Sequence, residues 1–182
     1  MRRIFPSLII AASLTAPACM AQADDLERVM HAWCTQVGTW TGKIEVTAAG
    51  GKTEQLELVS THDCTEGASV HIVRERFGNG ASTVKVTFID PAAGNFHTSY
   101  FAGGRDAPYS FSFVSVELRD DTHWKTIIAS TPGTETYEGR PAILRYIRVR
   151  NGDTIESWKD VRFANGENDF EPRSRIIQTL RR

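Results

Sequence analysis

The sequence predicts an all-β protein: an up-and-down antiparallel β-barrel of about ten strands, with one short N-terminal helix closing the base. Three observations lead to this fold class. From residue 39 onward, apolar and polar residues alternate with a period of two, which is typical of strands that bury one face. Turn-forming residues separate these segments, and no gap has room for a crossover helix. Before them, residues 24–37 have the apolar spacing of an amphipathic helix.

The first 23 residues have the composition of a secretory signal peptide. Arg2 and Arg3 precede a mostly apolar run that is shorter than the roughly 20 residues of a membrane span. Ala21-Gln22-Ala23 has the small-x-small pattern of a cleavage site. We therefore expect cleavage after Ala23, no membrane span, and one periplasmic or secreted domain at residues 24–182. Two alternatives stay open: lipidation of Cys19, and twin-arginine rather than Sec export.

The charge of the remaining chain excludes one class of partner. Cleavage removes two arginines and no acidic residue, which takes the formal net charge from −1 to −3. A mildly acidic domain lacks the basic surface that nucleic acids require, so we expect no nucleic-acid partner. The sequence leaves the oligomeric state open.

Two cysteines, Cys34 and Cys64, remain after cleavage. In an oxidising compartment an even pair favours a disulfide. A metal site is disfavoured, because His62 and Asp63 are the only ligand types beside Cys64 and no second cysteine lies at a ligand spacing. A pair of free thiols is the remaining alternative.

The helix predicted at 24–37 is amphipathic. Asp24 and Asp25 lie where the helix dipole favours negative charge, and Gly38 follows at a position where helices often end. The apolar stripe must pack against another apolar surface. It consists of Leu26, Val29, Met30, Trp33 and Val37.

Ten strands follow this helix. Their alternation is clearest in the first, where Trp40, Gly42 and Ile44 share one face. Gly-rich turns such as Gly78-Asn79-Gly80 connect neighbours, and closing so many short strands into a barrel removes the exposed edges. The strands are expected at 39–48, 53–61, 69–77, 82–90, 95–102, 109–119, 123–131, 141–150, 153–164 and 172–181.

The meander also predicts which rim is open. The longer connections, at 103–108, 131–140 and 165–170, all fall at the end opposite the helix. Cys34 precedes the first strand and Cys64 follows the second, so both fall at the helix end. A disulfide between them would attach the helix to the closed base.

A short helix that runs into Gly38-Thr39-Trp40, a meander of ten strands and a last strand that carries arginines together resemble the calycin, or lipocalin-like, superfamily. Gly38-Thr39-Trp40-Thr41-Gly42 and the closing Asp169-Phe170-Glu171-Pro172-Arg173 resemble its uncharacterised bacterial lipocalin-like domains most. The resemblance implies that Trp40 packs at the base of the barrel beneath an arginine of the last strand. Of Arg173, Arg175 and Arg181, we select Arg175. The alternative is that Trp40 is a core residue of another β-fold, such as a sandwich.

The haem-binding nitrobindins have a similar first strand, with a further glycine where this sequence has Ile44. Their proximal histidine lies near the C-terminus, whereas the last histidine here is His123. We therefore expect no haem, and no other cofactor or metal.

Arginines and aromatic residues are the candidates for a binding site. Arginine is suited to a carboxylate, but Arg145 and Arg148 have opposite parity on one strand, so one of them must face outward. Aromatic residues around the fifth and sixth strands would form an apolar wall. The predicted ligand-binding residues are Phe96, Tyr100, Tyr109, Phe111 and Arg145, and the predicted structural residues are Trp40, Arg175, Cys34 and Cys64.

The sequence contains no Gly-x-Ser-x-Gly, Walker or His-Glu-x-x-His motif, and we expect no catalytic residue. The leading hypothesis is an exported lipocalin-like protein that binds a small hydrophobic or amphiphilic molecule in the barrel. One alternative is a structural or interaction module of the envelope with a filled barrel. The other is an enzyme that uses His71, His97 or His123 as acid or base in the cavity.

Overall fold

One helix precedes an eleven-stranded antiparallel sheet in the computed structural model, which describes residues 17–48, 51–90, 94–103, 105–130, 135–164 and 169–182. Side chains are described at these positions except 17–23, 105–107 and 113–114. The helix α1 spans Pro17–Cys34. The strands are β1 (Gly38–Thr47), β2 (Thr53–Cys64), β3 (Val70–Phe77), β4 (Ser82–Asp90), β5 (Asn95–Ala102), β6 (Arg105–Asp120), β7 (His123–Ser130), β8 (Glu135–Tyr137), β9 (Arg140–Asn151), β10 (Thr154–Phe163) and β11 (Glu171–Leu180).

Ten of these strands close into a barrel, which confirms the predicted fold class. Consecutive strands pair along the chain, β7 pairs with β9, and β1 pairs with β11 to complete the ring. The short β8 pairs with the start of β9 and lies within the predicted loop 131–140. Because only three residues pair there, the sequence has no alternation long enough to reveal a strand.

Two boundaries differ from the sequence prediction. The helix α1 begins at Pro17, within the segment expected to be cleaved, and ends at Cys34 rather than at residue 37. Val37 is consequently exposed and does not join the apolar stripe. The strand β6 begins at Arg105, because Ala102 pairs directly with Arg105 in a tight hairpin. Most of the predicted loop 103–108 therefore belongs to β6, and Pro108 lies within this strand.

The helix covers the base of the barrel with its apolar face. Leu26, Val29, Met30 and Trp33 are buried, and they form one cluster with residues from β5, β6 and β7. Trp33 stacks on Phe96 with ring centroids 5.4 Å apart. No helix in the described ranges combines the length and apolarity needed to cross a bilayer.

A disulfide joins Cys34 to Cys64, as the sequence predicted, with their Cα atoms 5.6 Å apart. Cys34 is the last residue of α1 and Cys64 is the last residue of β2. The end of the helix is thus attached covalently to the rim of the barrel that it covers.

The first strand supplies both the floor and the seam of the barrel. Trp40 is fully buried, and its indole Nε1 donates a hydrogen bond to the carbonyl oxygen of Gln36 at 2.7 Å. Gly42 lies where β1 meets β11. A Cβ atom at Gly42 would overlap the carbonyl oxygen of Ile177 and approach the Cα of Gln178 to 2.7 Å. This crowding explains the second glycine of the Gly-x-Trp-x-Gly segment.

Replacing both cysteines, as in C34S/C64S, is expected to lower the free energy of unfolding. The disulfide closes a loop with a sequence separation of 30, for which the chain-entropy model gives about 3–4 kcal/mol. Urea denaturation followed by tryptophan fluorescence measures this loss. The wild-type protein under reducing conditions should unfold at the same urea concentration as the variant, and an unchanged midpoint for the variant would contradict the prediction.

Replacing Gly42 by alanine is expected to destabilise the barrel by about 2–4 kcal/mol, because the methyl group must displace the backbone of β11. The adjacent Thr41→Ala variant is the matched control. Thermal unfolding by circular dichroism compares the two. Equal melting temperatures for both variants would show that the seam tolerates a side chain.

Candidate functional site

The interior of the barrel contains a cavity of about 300 Å³ that is partly open to solvent. This volume is at the lower end of the range for small-molecule sites. All ten barrel strands contribute to its wall, and Trp33 and Gln36 close it at the base. The apolar part of the wall includes Val73, Phe77, Phe111, Ile128, Ile155 and Ile176.

Four charged side chains line this cavity: Glu75, Lys85, Arg148 and Lys159. Glu75 accepts hydrogen bonds from Lys85 Nζ and Thr83 Oγ1, both at 2.8 Å. Burial alone would raise the pKa of Glu75, but the Lys85 ion pair and these hydrogen bonds outweigh it and lower that pKa. Glu75 and Lys85 therefore neutralise each other. Arg148 and Lys159 remain as cations, and no described carboxylate forms an ion pair with either.

Arg148 lies in the deep half of the cavity. Its guanidinium carbon is 5.0 Å from the centre of the Trp33 ring. Burial lowers the pKa of Arg148 to about 10, so the group is still cationic at neutral pH. Its Nη1 is buried and has no hydrogen-bond partner within the described part of the chain. A buried cationic donor without an acceptor is costly, so this position favours a ligand that supplies one.

Gln36 provides a second unsatisfied group at the floor. Its side chain is fully buried, and neither Nε2 nor Oε1 has a hydrogen-bond partner among the described residues. The backbone carbonyl of Gln36 accepts the hydrogen bond from the Trp40 indole, and this bond fixes the position of Gln36. The floor thus contains a buried donor and a buried acceptor from one amide, in a residue that lines the same cavity as Arg148.

Two histidines adjoin these groups in a buried hydrogen-bonded chain. His62 Nδ1 and His71 Nε2 are 3.2 Å apart, and His62 Nε2 is 3.1 Å from the hydroxyl of Ser60. Gln178 Nε2 donates to that hydroxyl at 2.6 Å. Burial lowers the pKa of both histidines, assisted by Arg148 and Lys85, and that of His71 falls to about 3. Both imidazoles are therefore neutral at pH 7.

Three of the predicted ligand-binding residues, Tyr100, Tyr109 and Phe111, line the cavity. Phe96 belongs to the cluster beneath the floor, where it stacks on Trp33. The prediction that Arg145 binds the ligand was wrong. It pairs with Asp160 at 2.6 Å and covers Phe170, because β9 directs Tyr146 and Arg148 into the cavity. The sequence prediction chose the wrong phase on this strand.

The choice of Arg175 as the arginine that packs on Trp40 was also wrong. Trp40 fills the base as expected, but the guanidinium carbon 5.4 Å from its ring belongs to Arg150 of β9. Arg175 pairs with Glu156 on the exterior instead. The inward phase of β11 carries Ser174, Ile176 and Gln178, which excludes Arg175 from the interior.

Of the three predicted acid–base histidines, only His71 lines the cavity. His97 lies 3.5 Å from Asp90 and stacks on the exposed Phe88. His123 contacts Asp120 in a partly exposed turn. Sequence reasoning missed Gln36, His62, Glu75, Lys85 and Lys159 as cavity residues. For His62, Glu75 and Lys159, the available signal was the phase shared with apolar neighbours on the same strand. For Lys85 the alternation indicated the opposite face, because its phase on β4 carries Thr83 and Thr87, which are buried, whereas Phe88 of the apolar phase is exposed.

No protein-family model matches this sequence, and no curated protein matches it. Among solved structures, the crystal structure of Rv2717c from M. tuberculosis is similar, with a TM-score of 0.58. The alignment covers 84% of this chain and 97% of that chain at 9% sequence identity. At this identity the similarity shows a shared fold alone.

The histidine chain predicts how stability changes with pH. Because folding lowers the pKa of His62 and His71 from 6.5, the unfolded chain takes up protons first as the pH falls. Unfolding free energy should decrease below pH 6.5 and continue to fall toward pH 3. Between pH 7 and pH 5 the loss is about 2 kcal/mol for His71, whose folded pKa of about 3 lies below this range, and His62 adds to it in the same direction. Urea titrations of wild type, H71Q and the exposed control H123Q test this.

The H71Q variant should show a smaller decrease between those two pH values, whereas H123Q should follow the wild type. Identical pH slopes for wild type and H71Q would contradict the assignment of neutral, buried imidazoles.

Proposed function

We propose that this protein is an exported, lipocalin-like binding protein that holds a small amphiphilic molecule with an anionic head group inside the barrel. The observation that carries the proposal is Arg148, a cation that lines the cavity and whose buried Nη1 has no hydrogen-bond acceptor among the described residues. The family resemblance and export from the cell are parts of the proposal that rest on the sequence.

The signs of the interior charges support an anion. Glu75 is neutralised by Lys85, the two histidines are neutral, and Arg148 stays charged. A cation entering this space would meet an uncompensated guanidinium at low dielectric. An anion would instead receive charge-assisted hydrogen bonds, which are about twice as strong as neutral ones.

The rest of the wall supports an amphiphile over a fully polar ligand. Apolar and aromatic residues from β3, β6, β7, β10 and β11 surround the space above Arg148. Cavities of this kind bury the apolar body of a ligand and use a few polar groups to orient it. The unsatisfied amide of Gln36 would complete the contacts of the head group.

Binding is proposed in preference to the two alternatives. A structural module with a filled barrel would leave no cavity of about 300 Å³. For an enzyme that uses His71, His97 or His123 as acid or base, the cavity offers only His71, and burial with the nearby cations lowers its pKa to about 3, which makes it a weak base at neutral pH.

Two probes with one skeleton test the head-group assignment. 1-Anilinonaphthalene-8-sulfonate carries a sulfonate, and N-phenyl-1-naphthylamine lacks it. The Arg148→Met variant is expected to bind the sulfonate about 10- to 100-fold more weakly, since a hydrogen bond to a charged group contributes about 1.5–3 kcal/mol. Its affinity for the neutral probe should change little. Fluorescence titration measures both.

The matched control is Arg175→Met, which removes an arginine from the exterior of β11. It should bind both probes as the wild type does. If the wild type binds neither probe, or if Arg148→Met weakens both equally, the proposed function is wrong.

A further inference from the structure

We infer that Lys159 is a covalent capture site, whose amine forms a reversible imine with an aldehyde that enters the barrel. This inference goes beyond the proposed function, which requires only non-covalent binding. It rests on the position of one lysine within the cavity, on the charges around it and on its neighbours along β10.

Lys159 points into the barrel. On β10 it shares the inward phase with Ile155 and Ser157, and all three line the cavity. Its Nζ lies 4.9 Å from the centre of the Tyr137 ring. Tyr137 in turn packs near Phe163, so the amine is placed against an aromatic wall. No carboxylate of the described residues forms an ion pair with it.

The charges that face Lys159 come from three other elements. Lys85 of β4 and Arg173 of β11 repel its ammonium form. Glu138, which follows β8, attracts the ammonium form, but burial and Lys85 outweigh this attraction. Burial is the largest effect, and together these lower the pKa of Lys159 to about 8. At pH 7.5 about a quarter of the amine is then neutral, against about 0.1% for an ordinary lysine.

Lys85 is the natural comparison within the same cavity. Its Nζ forms an ion pair with Glu75 at 2.8 Å. The ammonium group of Lys85 is thus engaged by a carboxylate, whereas Lys159 has no such partner among the described residues. The two lysines therefore differ in reactivity although both line the same space.

The reaction is balanced without an oxidant or a reductant. The neutral amine attacks the carbonyl carbon and forms a carbon–nitrogen bond, and the carbonyl oxygen takes one amine proton. The carbinolamine then loses this hydroxyl with the second amine proton as water, which leaves a carbon–nitrogen double bond.

The register relates Lys159 to the proposed anion site. Tyr146 pairs with Lys159, and Arg148 pairs with Ser157 on the same two strands. The two cationic side chains thus originate two residues apart along the sheet, about 7 Å. From these positions the Arg148 guanidinium extends to Trp33 at the floor and Lys159 Nζ extends to Tyr137 of β8. An aldehyde that also carries an acid group tests whether one ligand reaches both.

Reductive trapping with cyanoborohydride tests the inference. Purified protein is incubated at pH 7.5 with benzaldehyde or with 4-formylbenzoate, and the modified lysines are identified by peptide mass spectrometry. We expect Lys159 to be labelled before the exposed Lys125, and about 200-fold faster than a lysine with the ordinary pKa, following the ratio of neutral amine. The labelling rate should reach half its maximum near pH 8.

Two variants separate the roles of the charged groups. Lys159→Arg keeps the charge and should lose the label, and its binding of N-phenyl-1-naphthylamine shows whether the cavity is still formed. Lys125→Gln should be labelled as the wild type is. Equal labelling of all lysines, preferential labelling of Lys85, or a pH midpoint near 10 would overturn the inference.

The acid-bearing aldehyde keeps this test distinct from that of the proposed function. If Lys159 reacts faster with 4-formylbenzoate than with benzaldehyde, and Arg148→Met abolishes the difference, both proposals are supported. If benzaldehyde labels Lys159 but the acid group gives no advantage, the imine site stands and the anion site fails. If neither aldehyde labels Lys159, the imine site fails whatever the sulfonate probe shows.

Discussion

The pairing of β1 with β11 is the constraint on which the rest of the structure depends. It joins the first strand to the last, so that ten strands enclose a common interior and leave no open edge between them. Gly42 permits this seam, because a side chain there would overlap the backbone of β11. Trp40, two residues earlier, fills the base beneath the same interior. One short segment therefore both closes the ring and seals its lower end.

The floor of the barrel is held from several directions. The disulfide ties the end of α1 to β2, and Trp33 Nε1 donates to Thr126 Oγ1 of β7 at 3.1 Å. Arg150 of β9 donates to the carbonyl oxygen of Thr35 at 2.5 Å and to that of Gly152 at 3.0 Å. Groups placed on such a floor have one geometry, which is what a binding site requires of its deepest residues.

The interior is more polar than stability alone would select. Glu75 and Lys85 satisfy each other, and the hydrogen-bonded histidines are satisfied as neutral groups, so these cost little once formed. Arg148 and Gln36 are different, because buried atoms of both lack partners within the described structure. Buried polar atoms without hydrogen-bond partners are expected at the sites where a protein binds a ligand. Among the described residues, buried atoms without partners also occur on Asn95 and Arg173, but Arg148 and Gln36 are the residues of this group that line the cavity, and we assign their unsatisfied atoms to ligand binding.

The sequence alone determined the barrel, nearly all strand positions and the disulfide, because a period of two and turn residues are local properties. It could not determine which phase of β9 faces inward, since Ile143 and Leu144 place apolar residues in both phases. Closure of the ring decided this, and it directed Arg148 inward and Arg145 outward. The position of Gln36 at the floor likewise depends on where the helix docks, which no local pattern encodes. Tertiary structure therefore selected the chemistry of the cavity within a fold that the sequence had already specified.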